Sequence, residues 1–146
     1  MSYLISIDPG SEKCGLLLAN TDSQTVVNGI IVKSDAVIEL IFKWQKKYPI
    51  KLIILGNGTN SKFWENKLSA LVNIPVHLVD ESGTTLRARE RFFDISPPGF
   101  LLKLLPRGLL FPPKNLDSIA ALILLEDYLE KRFNWPGKIN LRTWPE

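Results

Sequence analysis

The stretch YLISIDPGSEKCGLLLAN, residues 3–20, joins two apolar runs with a short polar turn. Residues 3–7 are typical of a buried central strand, and residues 15–20 are typical of a second strand. Asp8 stands at the end of the first run. A carboxylate in this position either holds a metal ion or begins a tight turn with the Pro-Gly pair that follows. The stretch alone leaves both interpretations open.

The composition is that of a globular protein with one substantial core. The chain has 146 residues, of which 45% are hydrophobic and 23% charged. No apolar run reaches the ~18 residues needed to cross a bilayer, and the start of the chain lacks the features of a secretory signal. One cysteine and one histidine exclude an internal disulfide and disfavour a zinc site. We therefore expect a cytoplasmic protein without membrane contact, and the net charge of +3 adds weak support for a polyanionic partner.

The spacing of apolar residues predicts one α/β domain over residues 1–146. Three runs joined by short turns predict an antiparallel meander of strands 1–3 over residues 3–33. Helical spacing then alternates with apolar runs, which predicts parallel strands 4 and 5 joined by right-handed crossovers. A helix over 84–93 and a buried last helix over about 115–133 follow. The expected architecture is a five-stranded mixed sheet flanked by helices.

Residues 94–114 interrupt this alternation. Five prolines rule out a long helix or an interior strand, and the segment is too apolar for a solvated linker. We expect a proline-rich apolar insertion that is ordered as a lid, a partner surface or both. A homodimer formed through this insertion, with Leu104 and Leu109 in the interface, is one form of that expectation.

Acidic residues end two predicted strands and begin the last helix. Asp8 follows strand 1, Asp80 and Glu81 follow strand 5, and Asp117 lies in the first helical turn. If strands 1 and 5 run the same way, these carboxylates meet at one edge of the sheet. Converging carboxylates repel one another unless a cation lies between them, and Mg²⁺ or Mn²⁺ prefers oxygen ligands. A turn or a helix dipole explains each acid singly, but their joint placement favours a metal-dependent nuclease site.

Four stretches of the sequence carry a family resemblance, and together they span nearly the whole chain. They are SIDPGSEKCGLLLAN, LIILGNGTNS, LVDESGTTLRARERFF and NLDSIAALILLEDYL. Their order resembles the YqgF (RuvX) branch of the Holliday-junction resolvase superfamily, and the GNGT turn is also similar to the YqgF-like domain of Tex proteins. The resemblance implies a ribonuclease H-like fold and an endonuclease that uses Mg²⁺ or Mn²⁺. It implies branched DNA or the precursor of small-subunit ribosomal RNA as substrate.

The same resemblance implies which acids act. It assigns Asp8, Glu81 and Asp117 as catalytic metal ligands and leaves Asp80 as an alternative to Glu81. Three departures accompany it: Ser82 stands where the family motif has Arg, the turn after strand 4 lacks the Gly-x-Pro pattern, and the insertion at 94–114 is longer than in the family. The retained acids support nuclease activity, and the departures permit an alternative function, a non-catalytic nucleic-acid-binding or scaffold domain with a degenerate site.

Candidate contacts with nucleic acid lie beside the acids. Arg87 and Arg91 are four residues apart on one helical face, where they either bind phosphates or belong to a solvated charged surface. Four further candidates flank helix starts: Thr84, Thr85, Gly58 and Thr59. Threonine hydroxyls there either cap the helix or contact substrate, and backbone N–H groups either hold a phosphate or only complete a turn.

Overall fold

Six strands and four α-helices form the part of the chain that the computed structural model describes, residues 2–97, 106 and 115–146. In chain order they are β1 (Tyr3–Asp8), β2 (Lys13–Asn20), β3 (Thr25–Lys33), α1 (Val37–Lys47), β4 (Ile50–Gly56), α2 (Ser61–Leu71), β5 (Val76–Val79), α3 (Thr84–Ile95), α4 (Asp117–Leu129) and β6 (Thr143–Trp144). A single 3-10 turn, Ser34–Ala36, precedes α1.

The strands form one mixed sheet in the order β5-β4-β1-β2-β3-β6. β1, β2 and β3 pair antiparallel, whereas β4 pairs parallel with β1 and β5 pairs parallel with β4. The prediction of five strands is wrong by one, because Thr143 and Trp144 add a short parallel strand beside Ile31 and Val32. Two residues carry no hydrophobic periodicity, so this strand has no signal in the sequence.

The two faces of the sheet pack against different helices, and β1 shows the alternation. Ile5 and Ile7 belong to the core that includes α1 and α2. Leu4 packs on the opposite face with residues of α4, and the Ser6 hydroxyl on that face donates a 2.7 Å hydrogen bond to the Ala121 carbonyl oxygen. Because strand side chains alternate, Asp8 continues the Leu4–Ser6 row and lies on the α4 face.

The helices on the other face follow their sequence periodicity closely. Helical spacing predicts five inward-facing residues in this region, Val37, Leu40, Ile41, Trp44 and Tyr48. The first four are buried, whereas Tyr48 follows the end of α1 and is half-buried. In α2, Trp64 and Leu68 are buried as predicted, but Leu71 is 53% exposed. The helix ends at Leu71, and the following Val72, which the spacing also predicts to face inward, is buried.

Helix α4 is shorter than its sequence pattern indicates. It runs from Asp117 to Leu129, and Asn115 does not cap it. The Asn115 side chain instead donates to the Leu141 carbonyl oxygen at 3.4 Å. The helix is apolar almost all round because the sheet covers one side and α3 packs on the other, through a cluster of Ala88, Ile119 and Ile123.

The predicted insertion at 94–114 lies mostly outside the described residues. Helix α3 extends through Asp94 and Ile95, two residues beyond its predicted end. The predicted homodimer surface with Leu104 and Leu109 lies outside the described residues as well. Among the helices that are described, none is long and apolar enough to cross a membrane.

Candidate active site

Three elements bring their acids to one edge of the sheet. β1, β4 and β5 are parallel neighbours, so their carboxyl ends lie side by side. Asp8 is the last residue of β1, and Glu81 follows β5 by two residues. Asp117 is the first residue of α4, which crosses the same face of the sheet. The structure therefore places the three predicted acids on three elements that meet at this edge.

Gly15 fixes how closely α4 approaches the first strand pair. It is the register partner of Asp8 between β2 and β1. A Cβ atom at Gly15 would overlap the backbone carbonyl of Asp117 and lie 2.9 Å from the Ser118 nitrogen. Glycine is therefore required for the backbone of the helix to begin against the sheet directly beside Asp8.

The glycines after β4 make room for the Glu81 carboxylate. A Cβ atom at Gly56 would overlap Oε2 of Glu81, and one at Gly58 would overlap Oε1. The backbone N–H of Gly58 donates to this carboxylate, and the Asn57 side chain accepts a 3.2 Å hydrogen bond from the Glu81 N–H. The Gly56–Asn57–Gly58 turn thus holds the glutamate, which explains its composition without a bound phosphate.

The electrostatics of the three acids indicate a shortage of positive charge. Burial, followed by the charges of Glu81 and Asp117, raises the pKa of Asp8 to about 7. Burial also raises the pKa of Glu81, with a further rise from Asp80, against a lowering by the Gly58 N–H. Oε2 of Glu81 and Oδ2 of Asp117 are buried and have no hydrogen-bond partner among the described residues. A proton or a cation would relieve this arrangement.

The oxygen donors of the three acids suit a hard cation. Carboxylates without competing nitrogen or sulfur ligands are the donor set of Mg²⁺ and Mn²⁺. Yet within the described ranges no three Asp, Glu, His or Cys side chains are grouped closely enough to hold a metal ion as they stand. The residues fit the cation in chemistry and in their unpartnered oxygens, and binding it requires the side chains to draw together.

Lys13 is a site residue that the sequence reasoning missed. Its Nζ lies 3.6 Å from Oδ2 of Asp117 and 3.3 Å from Oδ1 of Asn115. The lysine stands five residues after Asp8 in the opening stretch, at the start of β2. The signal in the sequence that could have indicated Lys13 is its position across the turn from Asp8, at the edge of the sheet where the acids lie.

Asp80 and Glu81 are adjacent but point to different environments. Asp80 is exposed, and its Oδ1 accepts hydrogen bonds from the Ser82 backbone at 3.1 Å and the Ser82 hydroxyl at 2.8 Å. These bonds hold the pKa of Asp80 below its usual range. The carboxylate of Asp80 is therefore engaged in its own turn, and Glu81 is the member of the pair that faces Asp8.

Arg87 and Arg91 hold α3 against α4. Arg87 donates two hydrogen bonds to Asp127, at 2.7 and 2.6 Å. Arg91 donates two to Glu126, at 3.1 and 2.9 Å, and one to the Phe133 carbonyl oxygen at 2.8 Å. Both guanidinium groups thus have an intramolecular role, and their contact with phosphates stays a prediction. The partner acids lie 35 and 40 residues further along the chain, beyond the reach of local pattern reasoning.

The four remaining candidates divide by exposure. Thr84 is buried, and α3 begins after Gly83 without a side-chain cap, so the predicted capping by threonine is wrong. Thr85 and Thr59 are exposed beside the acidic edge. Gly58 already donates its N–H to Glu81. Substrate contacts by these residues stay predictions, with Thr85 and Thr59 the accessible ones.

Solved structures share this architecture. RuvC of T. thermophilus in complex with a Holliday junction substrate matches with a TM-score of 0.51 and 13% identity, over 89% of this chain and 96% of that chain. A second structure of Thermus thermophilus RuvC matches with a TM-score of 0.51 and 10% identity, over 90% of this chain and 98% of that chain. At such identities the likeness concerns the fold alone. The class is therefore the ribonuclease H-like α/β fold, with a six-stranded sheet here.

Sequence relatives narrow the class to a family. A protein of Rickettsia canadensis named "Putative pre-16S rRNA nuclease" is 31% identical over 144 residues, covering 88% of this chain and 86% of the relative. A protein of the same name from Phocaeicola vulgatus is 28% identical over 145 residues, covering 90% and 98%. No protein-family profile matches the chain. Both relatives belong to the YqgF/RuvX family, and this chain belongs to that family as well.

Proposed function

We propose that the chain is a metal-dependent endonuclease that hydrolyses phosphodiester bonds in structured nucleic acid. The observation that carries this proposal is the meeting of Asp8, Glu81 and Asp117 at one edge of the sheet. Burial is the largest cause of the rise in the pKa of Asp8 to about 7, and the charges of Glu81 and Asp117 raise it further. Isolated turn residues or helix-dipole acids would not perturb one another in this way.

The proposed chemistry divides between the cation and the side chains. A bound Mg²⁺ or Mn²⁺ would supply an activated water and neutralise charge on the phosphate. Asp8, Glu81 and Asp117 would hold the cation, and Asp8 would have to lose its proton to take part. The Gly58 N–H fixes one end of the Glu81 carboxylate, which leaves Oε2 unpartnered among the described residues and available as a ligand.

The substrate we propose first is the precursor of 16S ribosomal RNA. Relatives of nearly equal length carry this substrate in their name, at 31% and 28% identity. Branched DNA is the second substrate to test, because it is bound by the structurally similar RuvC. The exposed Thr59 and Thr85 beside the acids are compatible with RNA and with DNA, since threonine hydroxyl groups contact the phosphates of both.

The decisive experiment compares cleavage of pre-16S RNA and of a four-way DNA junction by the wild-type protein and the variants Asp8→Asn, Glu81→Gln and Asp80→Asn. We expect Mg²⁺- or Mn²⁺-dependent cleavage, lost by at least a hundredfold in Asp8→Asn and Glu81→Gln, which is an order of magnitude typical for removal of a catalytic group. Asp80→Asn is the matched control, because it neutralises the neighbouring acid outside the site, and it should cleave at nearly the wild-type rate.

A second candidate function is a nucleic-acid-binding domain without catalysis. It is favoured because the acids, although they lie at one edge of the sheet, do not form a group of three close enough to hold a metal ion within the described residues. It predicts salt-sensitive binding of RNA that is equal in wild type and Asp8→Asn, with no divalent ion required. Cleavage of neither substrate, together with unchanged binding by Asp8→Asn, would replace the first proposal with this one.

A further inference from the structure

Lys13 and Asp117 form an ion pair inside the candidate active site. The lysine side chain is 43% exposed and the aspartate side chain 28% exposed. Lys13 begins β2 and Asp117 begins α4, so the pair links the sheet to the last helix at the edge where the acids meet.

The pair neutralises Asp117 without satisfying its oxygen. The 3.6 Å separation between Nζ and Oδ2 is too long for a hydrogen bond. Oδ2 is buried and has no hydrogen-bond partner in the described part of the chain. A divalent cation bound directly, at about 2.1 Å, would satisfy this oxygen and supply more charge. A divalent cation can therefore displace the ammonium group of Lys13 from the carboxylate of Asp117.

We propose that Lys13 is a positioning residue that holds Asp117 while the site lacks metal and yields it to the divalent cation. Metal loading is then an exchange of one cation for another at a single carboxylate. This inference rests on the proposed function, because the exchange requires a metal site. Oδ1 of Asn115, 3.3 Å from Nζ, keeps a partner for the ammonium group after the exchange.

The exchange has a direct consequence for metal affinity. In the metal-free protein Lys13 offsets part of the repulsion that Asp117 exerts on Asp8. When the metal ion binds, the ion pair between Lys13 and Asp117 is lost, and the metal ion and the ammonium group repel each other. The lost ion pair and this repulsion both weaken metal binding. An exposed ion pair contributes up to about 1 kcal/mol, which corresponds to about a fivefold change in affinity. Replacing Lys13 by a neutral residue should therefore tighten metal binding by about three- to fivefold.

The test is a calorimetric titration of the metal-free, full-length protein with Mn²⁺ at pH 8. We expect Lys13→Met to bind Mn²⁺ three- to fivefold more tightly than wild type, and Lys13→Arg to bind as wild type does, because it keeps the charge. Lys33 is the matched control, since it is exposed and is the register partner of Lys13 in β3. Lys33→Met removes the same charge without removing an Asp117 contact and should change the affinity less than twofold.

Tightening separates a positioning role from a purely structural one, since a damaged site would bind more weakly. Equal or weaker Mn²⁺ binding by Lys13→Met would overturn the exchange, and so would equal tightening in Lys33→Met. If Lys13→Met does not fold, as judged by circular dichroism, Lys13→Gln provides the same comparison. Absence of Asp8-dependent Mn²⁺ binding in wild type would overturn the proposed metal site as well. The wild-type titration therefore tests the function, and the ratio between variants tests the exchange.

Discussion

The backbone carbonyl of Asp117 occupies the space that a Cβ atom of Gly15 would fill. Gly15 is also the register partner of Asp8, so one absent side chain sets the spacing between the first strand and the last helix. The candidate site is thus built first by backbone contact and then by carboxylates. Backbone contacts relax less than the ends of flexible side chains, and this difference separates the effects of substitutions at the glycines of the site.

Gly15→Ala should destabilise the whole protein. Its Cβ atom would meet the backbone of both Asp117 and Ser118, and overpacking of this kind costs about 1–3 kcal/mol or more. Urea unfolding of the metal-free protein measures the loss, as a lower midpoint with an unchanged slope. Unaltered stability would mean that α4 shifts from the sheet without cost, contrary to its packing on Leu17 and Ile54.

Gly58→Ala should damage the site while leaving the fold stable. The new Cβ atom would meet only the carboxylate end of Glu81, which can rotate away into solvent. We expect a loss of stability below about 1 kcal/mol, with Mn²⁺ affinity and nuclease activity reduced by tenfold or more. The comparison with Gly15→Ala in the same urea and calorimetric assays is the control, because both variants add one methyl group. A Gly58→Ala protein with wild-type metal affinity would remove Glu81 from the ligand set.

The raised pKa of Asp8 predicts how stability depends on pH. Between the usual value of about 4 and the folded value of about 7, the folded protein binds a proton that the unfolded chain has lost. Stability of the metal-free protein should therefore fall as pH rises through this interval, by up to about 4 kcal/mol. Asp8→Asn removes the effect, so we expect it to be more stable than wild type at pH 8 and equal to it at pH 4. Urea unfolding in the presence of a chelator checks this, and Asp80→Asn should show no such gain.

The two arginines of α3 should differ in what they contribute. The side chains of Arg91 and Glu126 are 12% and 14% exposed, and removing one partner leaves a largely buried charge. Arg91→Ala should therefore cost about 3–5 kcal/mol. Arg87 and Asp127 are 51% and 36% exposed, so Arg87→Ala should cost less than about 1 kcal/mol. Urea unfolding gives both values, and equal losses would contradict the difference in burial.

Arg87→Ala also tests the predicted nucleic-acid contact. Because its effect on stability is small, any loss of RNA affinity reports binding rather than unfolding. If Arg87→Ala binds RNA as tightly as wild type at every salt concentration, Arg87 pairs with Asp127 and does not contact phosphates. If the slope of log affinity against log salt concentration falls by about one in Arg87→Ala, the phosphate contact predicted from the sequence is supported.

The sequence predicted what depends on local pattern and missed what depends on distant partners. Strands β1–β5 and most inward residues of α1 follow from periodicity. The positions of Asp8, the Asp80–Glu81 pair and Asp117 follow from where elements begin and end, whereas the preference for Glu81 over Asp80 follows from the family resemblance. The strand Thr143–Trp144 is too short to have a period. The partners of the arginines and the approach of Lys13 to Asp117 arise only when α4 packs on the sheet. The glycines after β4 indicate only a turn in the sequence. Their contact with Glu81 joins residues that are more than twenty positions apart in the chain, so no local pattern predicts it.

Metal binding should release a proton from Asp8, and the pH dependence of affinity provides a final prediction. With a folded pKa of about 7, Asp8 is mainly protonated below that pH, and a divalent cation must displace the proton before the carboxylate can coordinate it. Mn²⁺ affinity should therefore rise by up to tenfold per pH unit between about pH 5 and 7 and level off above pH 7. Calorimetry in two buffers of different ionisation enthalpy should show nearly one proton released at pH 6 and almost none at pH 8.5. Asp80→Asn should retain this profile, because its carboxylate already has a lowered pKa. An affinity that does not change between pH 5 and 7 would mean that the cation does not bind Asp8.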